Sequence, residues 1–131
     1  MEQFPVLYVL MRTDLASMNA GKGMAQSHHC GSAFAKHMEK NKDPLYEKWF
    51  SETPQGFGTV LVLAVNEQQM RQAAKTAEML QFVAGVVHDP TYPLRDGDTT
   101  HFLPVDTCAY VFGDKNDPML EAVVGNFPLH P

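Results

Sequence analysis

Two runs of this chain, FPVLYVLMR at residues 4–12 and TVLVLAV at residues 59–65, are apolar at nearly every position rather than at every second one. A strand with one wet face alternates apolar and polar residues, whereas a continuous apolar run needs cover on both faces. The two runs therefore predict central strands of a sheet sandwiched between helices. Residues 21–41 read as the first of those helices by length and by their Met, Ala, Phe and Lys content, with Gly23 and Gly31 weakening it. DPLYEKWF continues it after a break, with Asp43 as cap and Pro44 at the first helical position, and ETPQGFG is a loop. Asn66 followed by Gln69 opens another helix, in which Met70, Ala73, Ala74, Ala77 and Leu80 recur at helical spacing as a core stripe. VAGVVHD at residues 83–89 reads as a third strand and TCAYVFG at residues 107–113 as a fourth. Between them, PTYPLRDGDTTHFLPVD, with three prolines and a DGD turn, reads as a long loop. NDPMLEAVVG closes the chain as a short helix capped by Asp117 and started by Pro118. The order is β-α-β-α-β-β-α, an α/β class in which the adjacent third and fourth strands imply that one runs antiparallel.

Length and charge bound the function. At 131 residues the chain fits one domain, 1–131, with one core. No stretch approaches a membrane span, and the acidic start MEQF lacks the basic region of a signal peptide, so the cytoplasm is the expected compartment. A net charge of −5 argues against non-specific coating of nucleic acid. It leaves room for a local basic patch, for which Lys36, Lys40, Lys42 and Lys48 are the candidates, a solvated helix face being the plainer account of them. Cys30 and Cys108 stand far apart and outside any CxxC pair, so reduced, buried thiols are expected.

Polar chemistry concentrates at two junctions. RTDLASMNAGKGMAQSHHC follows the first strand and brings Arg12, Asp14, Lys22, His28 and His29 close to one strand-to-helix turn; HDPTYPLRDGDTT follows the third strand. In open α/β sheets, ligands sit beyond the carboxyl ends of strands. If the first and third strands are parallel neighbours, Asp14, Lys22, Asp89 and the threonines of the second loop converge on one cleft. A carboxylate there can hold a water and a lysine can neutralise a developing oxyanion, which is the equipment of a hydrolase. Other chemistries fit less well. AGKG is not a phosphate-binding loop, because Ala16 stands at the place of the first glycine and Gly23 follows the lysine where Ser or Thr is needed. His28, His29 and Cys30 point about 100° apart in turn on a helix and do not readily share one metal ion. Cys30 as a nucleophile competes with the simpler account of a small residue packed in mid-helix.

The ordered set Arg12, Thr13, Asp14, Leu15, Met18, Gly21, Lys22, Ala25, Gln26 and His29 resembles the opening signature of the type 2, archaeal and eukaryotic, peptidyl-tRNA hydrolases, with one extra residue in the turn. Trp49, Gly56 before TVLVLAV, VVHD, TCAYVFG and VVGNFPL resemble later segments of the same family, so that most of the chain is covered. The resemblance implies a three-layer α/β/α domain with a mixed four-stranded sheet, hydrolysis of the ester between a peptide and the 3′-terminal ribose of tRNA, and no cofactor or metal. It matches Lys22, His29, Asp89 and Thr107 to functional positions. Where the family reads aspartate-alanine-glycine-arginine-threonine, this chain reads Asp89-Pro90-Thr91-Tyr92-Pro93, with Thr91 as the substitute threonine and a longer path to Thr107.

The expected site is then Lys22, Asp89, Thr91, Thr107 and His29 as the catalytic group, with Arg12, Asp14, Gln26, Lys36 and Lys40 binding the substrate. The partner is the 3′ end and acceptor stem of peptidyl-tRNA, no membrane is involved, and a homodimer is left open. Each bet has a plainer rival: Lys22 as an exposed turn lysine, Asp89 as the cap of a turn before Pro90, Arg12 with Asp14 as a structural pair, and His28, His37, His88 and His101 as surface histidines. Two further functions stay open on the residues alone: a binding module for RNA or protein without activity, and a hydrolase of another acyl or amide substrate.

Overall fold

The computed structural model describes residues 2–131. Eight elements follow in order: β1 (Pro5–Arg12), α1 (Ala20–Asn41), α2 (Pro44–Ser51), β2 (Thr59–Val65), α3 (Glu67–Met79), β3 (Val83–Asp96), β4 (Thr99–Asp114) and α4 (Pro118–Val124). The helix starts follow cap chemistry, at Asp43, Asn66 and Asp117 as expected and at Asn19 in addition. Asn19, Asp43, Asn66 and Asp117 each accept a hydrogen bond from a first-turn amide, and Asn66 with Gln69 completes a reciprocal capping box.

The four strands form one mixed sheet in the order β2-β1-β4-β3, with β1 and β2 parallel and β4 antiparallel to both of its neighbours. The period-two alternation of the strands divides the core between two faces. Leu7, Val9, Met11, Cys108, Tyr110 and Phe112 pack with Cys30, Phe34 and Met38 of α1 and with the aromatic residues of α2. Val6, Tyr8, Leu10, Ala109 and Val111 pack with the α3 stripe Met70, Ala73, Ala74 and Ala77 and with Leu120 and Val124 of α4. Helices on both faces make this the three-layer α/β/α architecture. Trp49 bridges α2 to the start of β2, its indole donating to the Thr59 carbonyl at 2.8 Å, and only glycine fits beneath it: a Cβ on Gly58 would lie 2.0 Å from the ring.

In the second half, one condition of the sequence reading is not met and one expectation needs correction. The first and third strands are not neighbours, because β4 lies between them. They still run in the same direction, so the carboxyl ends of β1 and the first part of β3 open at the same edge of the sheet. Nor is the stretch after Asp89 a loop. β3 and β4 continue as a two-stranded arm to a tight turn at Gly97, whose φ of 59° suits the positive-φ place of a hairpin turn. Prolines 90, 93 and 104 are tolerated because β1 pairs with β4 only as far as Cys108, leaving both strands of the arm with an open side. Among the described residues no helix is long and apolar enough to cross a membrane.

Candidate active site

Two irregularities in the β3–β4 ladder build the site. Val87 pairs with Cys108 and His88 with Asp106, which leaves Thr107 as an extra residue on β4. Simple alternation would aim Thr107 at α3 alongside Ala109; the bulge turns it to α1 instead. Its hydroxyl, fully buried, donates to Gln26 Oε1 at 2.7 Å. Asp89 pairs with Val105 and Tyr92 with Leu103, so Pro90 and Thr91 together oppose the single Pro104, and β3 is bulged as well. Asp89 keeps the α1-facing parity of Val87, and the second bulge returns Tyr92 to the same side.

The consequence is a chain of hydrogen bonds across three elements. The ionised Asp89, which can only accept, draws the Nε2 end of the Gln26 amide to its Oδ2 at 2.7 Å, and the Thr107 hydroxyl, free to donate, satisfies the Oε1 end. On the other carboxylate oxygen, Asp89 Oδ1 accepts the Thr91 amide at 2.8 Å and the Thr91 hydroxyl at 3.3 Å, an Asx-type turn within the bulge. Gln26 is 3% exposed, so its amide has no water to fall back on. Partial burial by itself works against ionisation of Asp89, but the donors from Gln26 and Thr91, with the positive potential of His29, outweigh it and hold its pKa below the ordinary aspartate value. The carboxylate is therefore ionised at neutral pH, and it is half-buried.

Lys22 reaches the same segment of β3 from the first turn of α1. Asn19 caps the helix by accepting the Lys22 amide, and the Lys22 ammonium donates to the Ser17 carbonyl at 3.2 Å and the Pro93 carbonyl at 2.8 Å. It also sits 5.1 Å from the centre of the Tyr92 ring. Lys22 and Asp89 thus belong to the same edge, joined through the segment 89–93, but they form no ion pair with each other among those described. Helical geometry puts Lys22, Gln26, His29, Lys36 and Lys40 on one side of α1, spaced four, three, seven and four residues apart. His29, Lys36 and Lys40 are exposed.

Arg12 and Asp14 are engaged elsewhere. Arg12, 8% exposed, holds Asp14 through Nε at 2.8 Å and Nη2 at 3.3 Å, and through Nη1 reaches Glu67 and the Asp106 carbonyl, both at 3.1 Å. Asp14 in turn accepts the Glu67 amide at 3.0 Å and so closes the N-terminus of α3. Asp106 continues the network to Arg71 and His88, each at 2.7 Å. This is the opposite face of the sheet, where Arg12, Glu67, Arg71, His88 and Asp106 line a separate cleft of about 320 Å³.

Of the expected residues, the structure brings together Lys22, Gln26, His29, Asp89, Thr91 and Thr107, sets Lys36 and Lys40 further along the same helix side, and engages Arg12 and Asp14 with α3. Tyr92 escaped the sequence reading because a tyrosine between prolines in an assumed loop gives no sign of being buried. Cys30 and Cys108 are free and fully buried side by side, and the hydrogen bond from Cys108 and burial push the Cys30 thiol far up, which removes it as a nucleophile. Among the described residues no group of three or more His, Cys, Asp or Glu is gathered where a metal ion could be held.

Comparison with known proteins gives one family. The model of a family described as peptidyl-tRNA hydrolase PTH2 matches residues 5–129, nearly the whole chain. No curated protein matches the chain.

Proposed function

The chain belongs to the peptidyl-tRNA hydrolase PTH2 family, an esterase acting on peptidyl-tRNA, and from that premise we propose that the Asp89–Gln26–Thr107 group with Lys22 carries out the hydrolysis. The observation that carries this reading is the hydrogen-bond chain itself, in which a fully buried threonine satisfies one end of a buried glutamine amide whose other end holds an ionised carboxylate. Such preorganisation is what a general base needs and what a mere turn cap does not.

Asp89 accepts a proton from a water as that water attacks the ester carbonyl carbon. The carbonyl oxygen becomes negatively charged in the tetrahedral intermediate, and the Lys22 ammonium, with a third N–H beyond the two used on carbonyls, meets it. When the ester C–O bond breaks, the leaving ribose oxygen takes the proton back from Asp89, which restores the carboxylate. Thr91 steadies Asp89 Oδ1 and orients the water; His29 adds positive potential beside the same carboxylate. Gln26 and Thr107 act through Asp89, and Arg12 with Asp14 secures the turn that carries the Ser17 carbonyl.

The tRNA moiety extends along α1. Eighteen residues of helix separate Lys22 from Lys40, roughly 27 Å, so Lys36 and Lys40 supply phosphate contacts well beyond the reacting end. Translation supplies the substrate, which makes the cytoplasm the compartment of this reading.

Release of free tRNA from a model peptidyl-tRNA, measured for wild type, Asp89→Asn and Lys22→Ala, tests the assignment. General-base loss is expected to lower kcat by about 10²–10⁴-fold in Asp89→Asn. Equal rates in all three proteins would remove the catalytic assignment.

A further inference from the structure

Lysine is a poor device for fixing a charge in space, because its ammonium rides on four methylenes with free rotors. Lys22 is nevertheless held from three directions. The Ser17 carbonyl comes from the turn before α1, the Pro93 carbonyl comes from the arm, and the face of Tyr92 lies 5.1 Å from Nζ. Tyr92 is itself packed in: it is 2% exposed and among the largest fully buried side chains of the protein. Its hydroxyl meets Ser17 Oγ at 3.1 Å and approaches Met18 Sδ at 4.0 Å, which sets the plane of the ring. Flanking prolines 90 and 93 and the bulge at Pro90–Thr91 set the backbone that delivers it. A leucine would fill much of that space. Only an aromatic face also attracts the cation, because the ring carries a negative quadrupole above and below its plane.

Resting on the assignment of Lys22 as the cation that meets the ester, we propose that Tyr92 is a positioning residue: its ring fixes the Lys22 ammonium so that one remaining N–H faces the substrate carbonyl. Tyr92 does not touch the substrate. It acts by removing the alternative rotamers of Lys22, and so it raises kcat more than it lowers KM.

The test uses the full chain with Tyr92→Phe, Tyr92→Leu, and a series placing phenylalanine, 3,5-difluorophenylalanine and pentafluorophenylalanine at position 92. Fluorine withdraws the ring's quadrupole with little change of shape. Two readouts are taken: kcat and KM for release of tRNA from a model peptidyl-tRNA, and the lysine Cε–Hε correlations by NMR, with Lys22 assigned from its loss in Lys22→Met. An upfield, ring-shifted Lys22 signal is expected in wild type and in Tyr92→Phe, whose kcat stays within about three-fold of wild type. Tyr92→Leu is expected to return the signal to the position of the other lysines and to lower kcat about ten-fold or more with KM little changed. Along the fluorinated series kcat falls stepwise. A flat series overturns the proposal, and does so even if Tyr92→Leu fails to fold. The two assignments fail separately: a flat series with inactive Lys22→Met removes the role of Tyr92 alone, whereas a fully active Lys22→Met removes the catalytic reading of Lys22 and this inference with it.

Discussion

Thr107→Val replaces a hydroxyl by a methyl of nearly the same size and so asks what one hydrogen bond is worth. Thr107 has no exposed surface and Gln26 is 3% exposed, so Gln26 Oε1 loses its donor where no water can replace it. Leaving a buried acceptor unsatisfied costs about 1–3 kcal/mol. For a chain of this length that corresponds to a fall in Tm of roughly 4–12 °C. Rotating the Gln26 amide by 180° gives no relief, because it sets Oε1 in place of the Nε2 that now donates to Asp89 Oδ2 at 2.7 Å, oxygen against oxygen. Either outcome weakens a donor to the ionised carboxylate, and Asp89 is then less strongly held below its ordinary pKa. The acid limb of kcat/KM should therefore move to higher pH, while Thr107→Ser, which keeps the hydroxyl, should keep both the limb and most of the stability. Thermal melting and a pH series of tRNA release measure the two effects. A Thr107→Val protein with the melting temperature and acid limb of wild type would refute the relay from β4 through α1 to Asp89.

Other expected outcomes probe the scaffold and the substrate track. Arg12→Met abandons Asp14 and Glu67, but these are 37% and 47% exposed and can rehydrate, so a loss of about 1–3 kcal/mol by urea titration is expected, with the acid limb of kcat/KM unmoved because none of its partners touches Asp89. Gly58→Ala drives a Cβ to 2.0 Å from Trp49 and should cost about 1–3 kcal/mol through displacement of the indole, visible as a changed tryptophan emission together with a lower Tm. Lys36→Ala combined with Lys40→Ala should raise KM and flatten the dependence of log kcat/KM on log salt by about one to two units, since each phosphate contact releases a counterion; an unchanged slope would take both lysines out of the RNA track. Asp14, Asp89 and Asp106 all have pKa values lowered from 3.8 by their native partners. Their contribution to stability is present above that value and is lost as pH falls through their lower folded values, so urea midpoints should hold near pH 5 and drop below about pH 4, with Asp14→Asn reducing that drop.

The helices were legible because their signals are local. Asp43, Asn66 and Asp117 cap by reaching amides two or three residues away, and the Met70–Ala73–Ala74–Ala77 stripe follows from the turn of one helix. The arm reads as a loop in sequence because prolines such as 90, 93 and 104 disfavour strands on average, whereas the open sides of this ladder are a property of sheet order. Arg12 and Asp14 adjoin the Lys22 turn in sequence, which places them beside the candidate site in any one-dimensional reading. Strand alternation sends Arg12 to the α3 face instead, and its partner Glu67 lies 55 residues away.

Taken alone, the chain determined the layers, the caps, the direction reversal after the third strand and the family pattern of Arg12, Lys22, Gln26, His29 and Asp89, all of which rest on periodicity or on short fixed spacings. Only the tertiary structure decided that Thr107 and Tyr92 turn toward α1, since each depends on one extra residue in a ladder between strands. A one-residue shift of register moves a side chain to the other face of a sheet, and no local propensity records which residue will be the extra one.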